Sequence, residues 1–189
     1  MTTTAQPSPV RFYAMLMIGA GLVSIGVMSF MLLNNAPAST EDFSTVPVQV
    51  DYAAPDLTLV DLSGNRVSLD DHLGSVVLVN LWATWCPPCK ASVPALIELH
   101  KKYENQGFIV VGVSMDTDSD SPEKVRQFSA SNNINYPVLV GNERTPKLYN
   151  VISIPTSFLI GKDGNIVDIY KGYSKAFDNN VSAQIEKLL

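Results

Sequence analysis

The chain has 189 residues, 46% of them apolar, and its 18 acidic and 13 basic side chains give a net charge of −5. This length and apolar content predict one domain of ordinary size with an additional segment. An acidic chain without a basic stripe argues against nucleic acid as a partner.

A long apolar run lies near the N-terminus. Residues 12–33 carry no charge, and a helix of that length covers about 33 Å, enough to cross a bilayer core. We interpret it as an uncleaved transmembrane signal-anchor helix, because cleaved signal peptides usually have apolar cores of about 7–15 residues. Cleavage near the Ala-Pro-Ala at 36–38 is the alternative. Arg11 before the run and Glu41 after it predict a cytoplasmic segment 1–11 and an extracytoplasmic domain.

A tether and one globular domain are predicted after this run. Residues 34–51 are polar and contain proline and serine, which favours a flexible tether. The domain is expected over residues 52–189. Its first elements are a hairpin of Leu57–Asp61 with Gly64–Leu69, followed by a strand over Ser75–Trp82. The apolar, β-branched residues of that strand indicate burial on both faces of a sheet.

Helices and strands alternate in the rest of the domain. A helix over Pro87–Tyr103, which Pro94 should kink, precedes a second buried strand over Phe108–Val113. The remaining predicted elements are a helical turn at 70–73, a helix at 122–131, a strand at 136–140, a short helix at 144–149, a hairpin of 156–160 with 165–170, and a helix at 176–189. This order predicts an α/β fold with a central mixed sheet flanked by helices.

Cys86 and Cys89 are the only cysteines, and two prolines separate them. Closing so short a loop adds little stability, so the pair suits thiol–disulfide exchange better than fold stabilisation. Cys86 follows a strand and begins a helix, where the positive end of the helix dipole favours a thiolate. We therefore predict that Cys86 is the exposed nucleophile and that Cys89 is the more buried resolving thiol.

The two prolines limit how strongly the thiolate is stabilised. Pro87 suits the first helical position because its missing N–H would be unpaired there. Since Pro88 also lacks an N–H, the backbone of Cys89 is the main donor left to the sulfur of Cys86. We predict a modestly lowered pKa for Cys86 and a pair that donates electrons, because weak thiolate stabilisation disfavours the reduced form.

Half of a metal site is the alternative for two cysteines at this spacing. A structural zinc site needs four ligands, and neither His72 nor His100 has finger-like spacing. We predict no metal and no cofactor, an exposed loop position for His72 and a core-edge position for His100. Trp82 is predicted in the core, and Trp85 is predicted to shield the disulfide beside Cys86.

Four stretches together resemble the TlpA/ResA type of membrane-anchored, thioredoxin-like thiol–disulfide oxidoreductases. They are Ala54–Leu59, Val77–Lys90 with Pro94 after it, Tyr149–Ile160 and Asp163–Val167. The resemblance covers about residues 52–189. It implies a thioredoxin-like fold with an N-terminal β-hairpin and a central αβ insertion between Ser121 and Val140. It also implies an enzyme on the outer side of the inner membrane that reduces protein disulfides, with apocytochrome c as one client.

Substrate-binding positions also follow from the resemblance. Pro155 is expected to be cis and to lie against the disulfide, which would place the backbone of Ile154 beside Cys86 for pairing with an extended substrate. Trp85 and Pro87 flank Cys86 and are expected to contact the same substrate. The implied partners are disulfide-bearing proteins and a membrane electron donor that re-reduces the cysteine pair.

Two residues depart from the family pattern. Asn80 stands where minimal thioredoxins have a buried aspartate that accepts a proton, so water or another group must assist Cys89. Ser92 stands where many relatives have a glutamate. Its absence weakens the case for a proton relay and for cytochrome c maturation in particular.

Two other functions fit parts of the pattern. A disulfide oxidase or isomerase would use the same fold with electrons flowing in the opposite direction. A copper chaperone of the Sco type would need a Cys-x-x-x-Cys pair and a distant histidine, and the chain has neither. A peroxidase is excluded because no Pro-x-x-x-Thr-x-x-Cys pattern surrounds Cys86.

Overall fold

The computed structural model describes residues 47–119 and 121–189. The predicted cytoplasmic segment 1–11, the signal-anchor helix 12–33 and most of the tether 34–51 lie outside the described residues. Among the helices that are described, none combines the length and the apolar character needed to cross a bilayer.

A mixed sheet forms the centre of the domain, as predicted, and in the described part of the chain it has eight strands. They are β1 (Val48–Ala53), β2 (Thr58–Asp61), β3 (Arg66–Ser68), β4 (Val76–Trp82), β5 (Phe108–Ser114), β6 (Val138–Val140), β7 (Thr156–Ile160) and β8 (Asn165–Lys171). Their spatial order is β1-β8-β7-β4-β5-β6-β2-β3. The β4–β5 and β5–β6 pairs are parallel, and the other pairs are antiparallel.

The helices also agree with the sequence prediction. They are α1 (Pro87–Tyr103), α2 (Ser121–Ser131), α3 (Thr145–Leu148) and α4 (Lys175–Leu188), with short 3₁₀ helices at Leu69–His72 and Glu104–Gln106. The bounds of these α-helices, and those of the strands from β2 onward, lie within two residues of the predicted ones, whereas the 3₁₀ helix at Glu104–Gln106 was not predicted. The hairpin of β2 with β3 and the α2–β6 insertion are both present, so the thioredoxin-like α/β fold is confirmed.

The sheet begins earlier than the sequence indicated. Residues 48–51, predicted as the end of the flexible tether 34–51, form the first part of β1, in which Val48 lies opposite Ile169 and Ala53 opposite Asn165. The strand lies at the sheet edge and is almost entirely exposed, so it lacks the alternating burial by which a strand is recognised in sequence. The domain therefore includes Val48 and does not start at residue 52.

β4 supports the functional site because both of its faces are packed. All seven of its residues are buried. One face packs with apolar side chains of α1 and α4, and the other packs with Leu57, Leu59 and Tyr149. Side chains of β5 and β7 contribute to both clusters. A strand fixed on both sides holds its carboxyl end in a defined position, and Cys86 follows that end by four residues.

Candidate active site

Cys86 caps the N-terminus of α1, with Pro87 and Pro88 in the first two helical positions. Its Sγ accepts a hydrogen bond from the N–H of Cys89, with a nitrogen-to-sulfur distance of 3.3 Å. The two cysteines are joined as a disulfide with an S–S distance of 2.10 Å. The predicted strand-to-helix setting of the pair and the predicted backbone donor are thus both present.

The two sulfur-bearing residues are both buried, which differs from the expectation for Cys86. Its exposed fraction is 3%, whereas that of Cys89 is 0%. Cys89 is the more buried of the two, as predicted, but the predicted exposure of Cys86 is wrong. The carbonyl oxygen of Ile154 lies 3.8 Å from Sγ of Cys86 and belongs to a segment 68 residues later in the chain, which covers the sulfur.

That covering segment contains the predicted cis proline. The peptide bond between Ile154 and Pro155 is cis, and Pro155 is buried beside a half-buried Ile154. The carbonyl of Pro155 accepts a 2.8 Å hydrogen bond from the N–H of Gly172. Oγ1 of Thr156 donates to the carbonyl of Ser153 at 2.7 Å. These bonds fix the segment against the disulfide.

Large apolar side chains are exposed next to Cys86 and near Ile154 in the chain. Trp85 is 65% exposed and Ile152 is 90% exposed. Pro87 is exposed as well, so the two residues that adjoin Cys86 in the chain both present open surface. Most of the surface of Trp85 therefore faces solvent. Ile152 was not among the predicted site residues. Contact of these residues with a substrate stays a prediction.

A buried carboxylate, which sequence reasoning missed, lies beneath the loop that leads to Cys86. Asp116 is 5% exposed and follows β5 by two residues. Its Oδ1 accepts a 2.6 Å hydrogen bond from the hydroxyl of Thr84, and its Oδ2 accepts from the N–H of Thr84 at 3.0 Å and from the hydroxyl of Ser114 at 2.7 Å. Asp116 therefore fixes the loop between β4 and Cys86.

The histidines do not take part in this arrangement. His100 is 7% exposed at the core edge, as predicted. Burial lowers its pKa, and the negative charge of Glu104 offsets only part of that effect. His72 is partly buried at the end of a 3₁₀ helix, so its predicted exposed loop position is wrong. Trp82 is 2% exposed and lies in the core, as predicted. Residues 47–119 and 121–189 contain no cluster of three or more metal-ligating side chains.

Comparison of the sequence with known proteins identifies the family of this chain. Residues 50–169 match the AhpC/TSA family. The chain belongs to the AhpC/TSA family. It is similar to the thioredoxin-like protein YneN of Bacillus subtilis, with 38% identity over 67% of this chain and 74% of YneN. It is also similar to the thiol-disulfide oxidoreductase ResA of Bacillus subtilis, with 32% identity over 82% of each chain.

A solved structure supports the same assignment. A protein from Chlorobium tepidum, assigned as the thiol:disulfide interchange protein DsbE, superposes with a TM-score of 0.68 at 34% identity. The superposition covers 73% of this chain and 96% of that one. The ResA-type resemblance is thus confirmed, and this AhpC/TSA family member is a thioredoxin-like thiol–disulfide oxidoreductase.

Asn80 and Ser92, the two residues that depart from the family pattern, are both buried and neutral. Asn80 is 2% exposed and donates through Nδ2 to Oγ of Ser157 at 2.8 Å. Ser92 is 3% exposed and donates through Oγ to the carbonyl of Cys89 at 2.8 Å. Neither side chain can take up a proton at neutral pH, so the proton that leaves Cys89 must go to water or to another group.

Proposed function

We propose that the protein is a membrane-anchored reductant of protein disulfides that acts outside the cytoplasm. One observation carries the direction of electron flow. Sγ of Cys86 accepts a hydrogen bond from the N–H of Cys89, whereas Pro87 and Pro88, which fill the preceding helical positions, have no N–H to donate. A thiolate with few donors is weakly stabilised, and this disfavours the dithiol relative to the disulfide.

The exchange proceeds in two substitutions at sulfur. The Cys86 thiolate attacks one sulfur of the client disulfide, a mixed disulfide forms, and one client sulfur leaves as a thiolate that takes up a proton. Cys89 then loses its proton and attacks Sγ of Cys86, which releases the second client sulfur. Two electrons and two protons reach the client, and the Cys86–Cys89 disulfide is formed.

The backbone beside the disulfide supports a protein client. The carbonyl of Ile154 is 3.8 Å from Sγ of Cys86 and belongs to a half-buried residue in a segment that hydrogen bonds fix on both sides. An extended client strand that pairs with this backbone would bring its own disulfide to Cys86. Trp85 and Pro87 are exposed next to it and would contact the side chains of the client.

The setting in the cell is part of the proposal. The uncharged run 12–33 would anchor the protein in the inner membrane, with the catalytic domain on the extracytoplasmic side. A membrane electron donor that presents a dithiol would then re-reduce the pair. Apocytochrome c is the client class that the ResA-type resemblance implies. Protease access to the domain in intact spheroplasts, and retention of the protein in membranes washed with carbonate, test this placement.

A redox titration of the full chain against glutathione tests the direction of electron flow. A reduction potential near that of thioredoxin, about −270 mV, is expected for a reductant. A potential near that of DsbA, about −120 mV, would contradict the proposal and would identify an oxidase.

Trapping tests the mechanism and identifies the client. In a Cys89→Ala variant the mixed disulfide on Cys86 cannot be resolved, so covalent adducts should accumulate and can be identified by mass spectrometry. The Cys86→Ala variant is the matched control and should trap far less, because it lacks the thiolate that attacks the client and keeps only the more buried cysteine. The scheme is wrong if Cys89→Ala yields no adducts in cells that express it at the normal level. Recovery of c-type cytochromes among the adducts would support that client class.

A further inference from the structure

The loop that leads to Cys86 is fixed at its middle by one carboxylate. Thr84 gives both its N–H and its hydroxyl to Asp116, and Ser114 adds a third hydrogen bond. At the ends of the loop, the N–H of Cys86 donates to the carbonyl of Ala83 at 3.2 Å. The three hydrogen bonds to Asp116 all run from donor groups to its carboxylate oxygens.

The carboxylate of Asp116 has no salt-bridge partner within residues 47–119 and 121–189. Asp116 is 5% exposed, so solvent screens it poorly. The bonded Thr84 is two residues from Cys86, which puts the carboxylate on the order of 10 Å from the nucleophilic sulfur.

We infer that Asp116 is a positioning residue that also makes the cysteine pair more reducing. It fixes the Thr84 loop, and its negative charge disfavours a thiolate at Cys86. A less stable thiolate makes the dithiol less stable relative to the disulfide, so electrons leave the pair more readily. The inference rests on the proposed reductant function and adds a cause for it, because the prolines and the carboxylate act in the same direction.

The expected size of the effect follows from Coulomb's law. Two unit charges about 10 Å apart in a medium of effective dielectric constant about 20 interact by roughly one pKa unit. Removal of the charge should therefore lower the pKa of the Cys86 thiol by about half a unit to one unit. At neutral pH the equilibrium with glutathione should then shift up to about tenfold toward the dithiol, which corresponds to about 30 mV.

The experiment compares three variants of the full chain in detergent. Asp116→Asn removes the charge and keeps the size of the side chain. Thr84→Val removes the hydroxyl donor and keeps the charge. Asp168→Asn removes another buried carboxylate, one that lies in the middle of β8 and is 2% exposed. For each variant, the pH dependence of iodoacetamide alkylation gives the pKa of Cys86, and a glutathione titration gives the potential.

The outcomes separate a charge effect from a purely structural one. Asp116→Asn should lower the pKa of Cys86 and raise the potential, whereas Asp168→Asn should change neither. In Thr84→Val, Asp116 keeps its negative charge and loses one hydrogen-bond donor. The pKa of Cys86 should therefore stay unchanged or rise. A purely structural role predicts that Thr84→Val and Asp116→Asn shift the potential in the same direction.

The inference is wrong if Asp116→Asn folds and has the wild-type pKa and potential. It is equally wrong if Thr84→Val lowers the pKa of Cys86, and this second result decides the question when Asp116→Asn does not fold. Neither outcome affects the trapping of clients by Cys89→Ala. The proposed function and the role of Asp116 can therefore fail separately.

Discussion

Nδ2 of Asn80 donates a 2.8 Å hydrogen bond to Oγ of Ser157, and both side chains are 2% exposed. The two residues lie opposite each other in the antiparallel pairing of β4 with β7. Asn80 shares its face of β4 with Leu78 and Trp82, which pack in the core beside α1 and α4. A neutral, hydrogen-bonded pair thus occupies the position at which minimal thioredoxins carry an acid.

Replacing Asn80 by Asp should destabilise the protein, and the loss should grow with pH. A carboxylate at this buried site must lose its hydration, so burial raises its pKa above the unfolded value of about 3.9. The unfolded state therefore releases this proton at lower pH than the folded state does, and stability falls as pH rises. We expect a loss of roughly 2–4 kcal/mol at pH 8 and a smaller one at pH 5 in urea unfolding.

Ser157→Ala is the matched control for that variant. It removes the same hydrogen bond, introduces no charge, and should cost about 1–3 kcal/mol at both pH values, because the amide of Asn80 loses its partner. A loss in Asn80→Asp that is independent of pH would show that its carboxylate is hydrated in the folded protein.

Asp168 should lower the stability of the wild-type protein at neutral pH relative to a variant that lacks this carboxylate. It is 2% exposed, Oη of Tyr170 donates to its Oδ2 at 3.3 Å, and burial raises its pKa. A group whose pKa is raised by folding contributes its full stability below the unfolded pKa of about 3.9. That contribution is lost as pH rises through the folded pKa. The urea midpoint of Asp168→Asn, taken relative to that of the wild type, should therefore be higher at pH 7 than at pH 4, and parallel pH profiles would contradict this prediction.

Gly141→Ala should destabilise the protein by about 1–3 kcal/mol. A Cβ atom at this position would clash with the carbonyl oxygen of Ser114, which is backbone and also accepts the N–H of Gly141 at 2.8 Å. Gly64→Ala is the control, because a Cβ atom there meets nothing within 4 Å and only its left-handed backbone (φ +86°) carries a cost. A urea midpoint of Gly141→Ala at or above that of Gly64→Ala would contradict this prediction. It would mean that the backbone at the end of β5 shifts at little cost in stability.

Ile152→Ser should slow the reduction of a protein disulfide several-fold and leave the reduction of a small aromatic disulfide unchanged. Ile152 is 90% exposed two residues before Ile154, so it can contact a client chain and has little packing to lose. Leu73→Ser is the control, since Leu73 is 61% exposed and lies at the opposite end of the sheet, where Gly74 bonds to Lys162. Equal rates for the two variants on the protein client would contradict the role of Ile152.

Most of the fold was predictable because its central elements carry strong local patterns. Val76–Trp82 is a run of apolar residues interrupted only by Asn80, and the two prolines after Cys86 fix the start of α1. β1 was missed for the opposite reason. Its residues are exposed at the sheet edge, and its place depends on pairing with β8, more than a hundred residues later.

The site was only partly predictable, because some of its features depend on contacts between distant segments. Cys86, Cys89 and Pro155 follow from motifs. The burial of Cys86 depends on Ile154, which is 68 residues away in the chain. The role of Asp116 depends on the parallel register that sets Trp82 opposite Ser114, and no spacing pattern in the sequence indicates it.

The two tryptophans occupy opposite environments. Trp82 is sealed in the core at 2% exposure, whereas Trp85 is 65% exposed and adjoins the cysteine that changes its bonding. Disulfides quench indole fluorescence at short range, and Trp82 packs in the same buried cluster as both cysteines while Trp85 adjoins Cys86. Tryptophan emission should therefore brighten when the pair opens. The protein thus carries an intrinsic optical reporter of its own turnover, and electron transfer can be followed in real time without any attached dye.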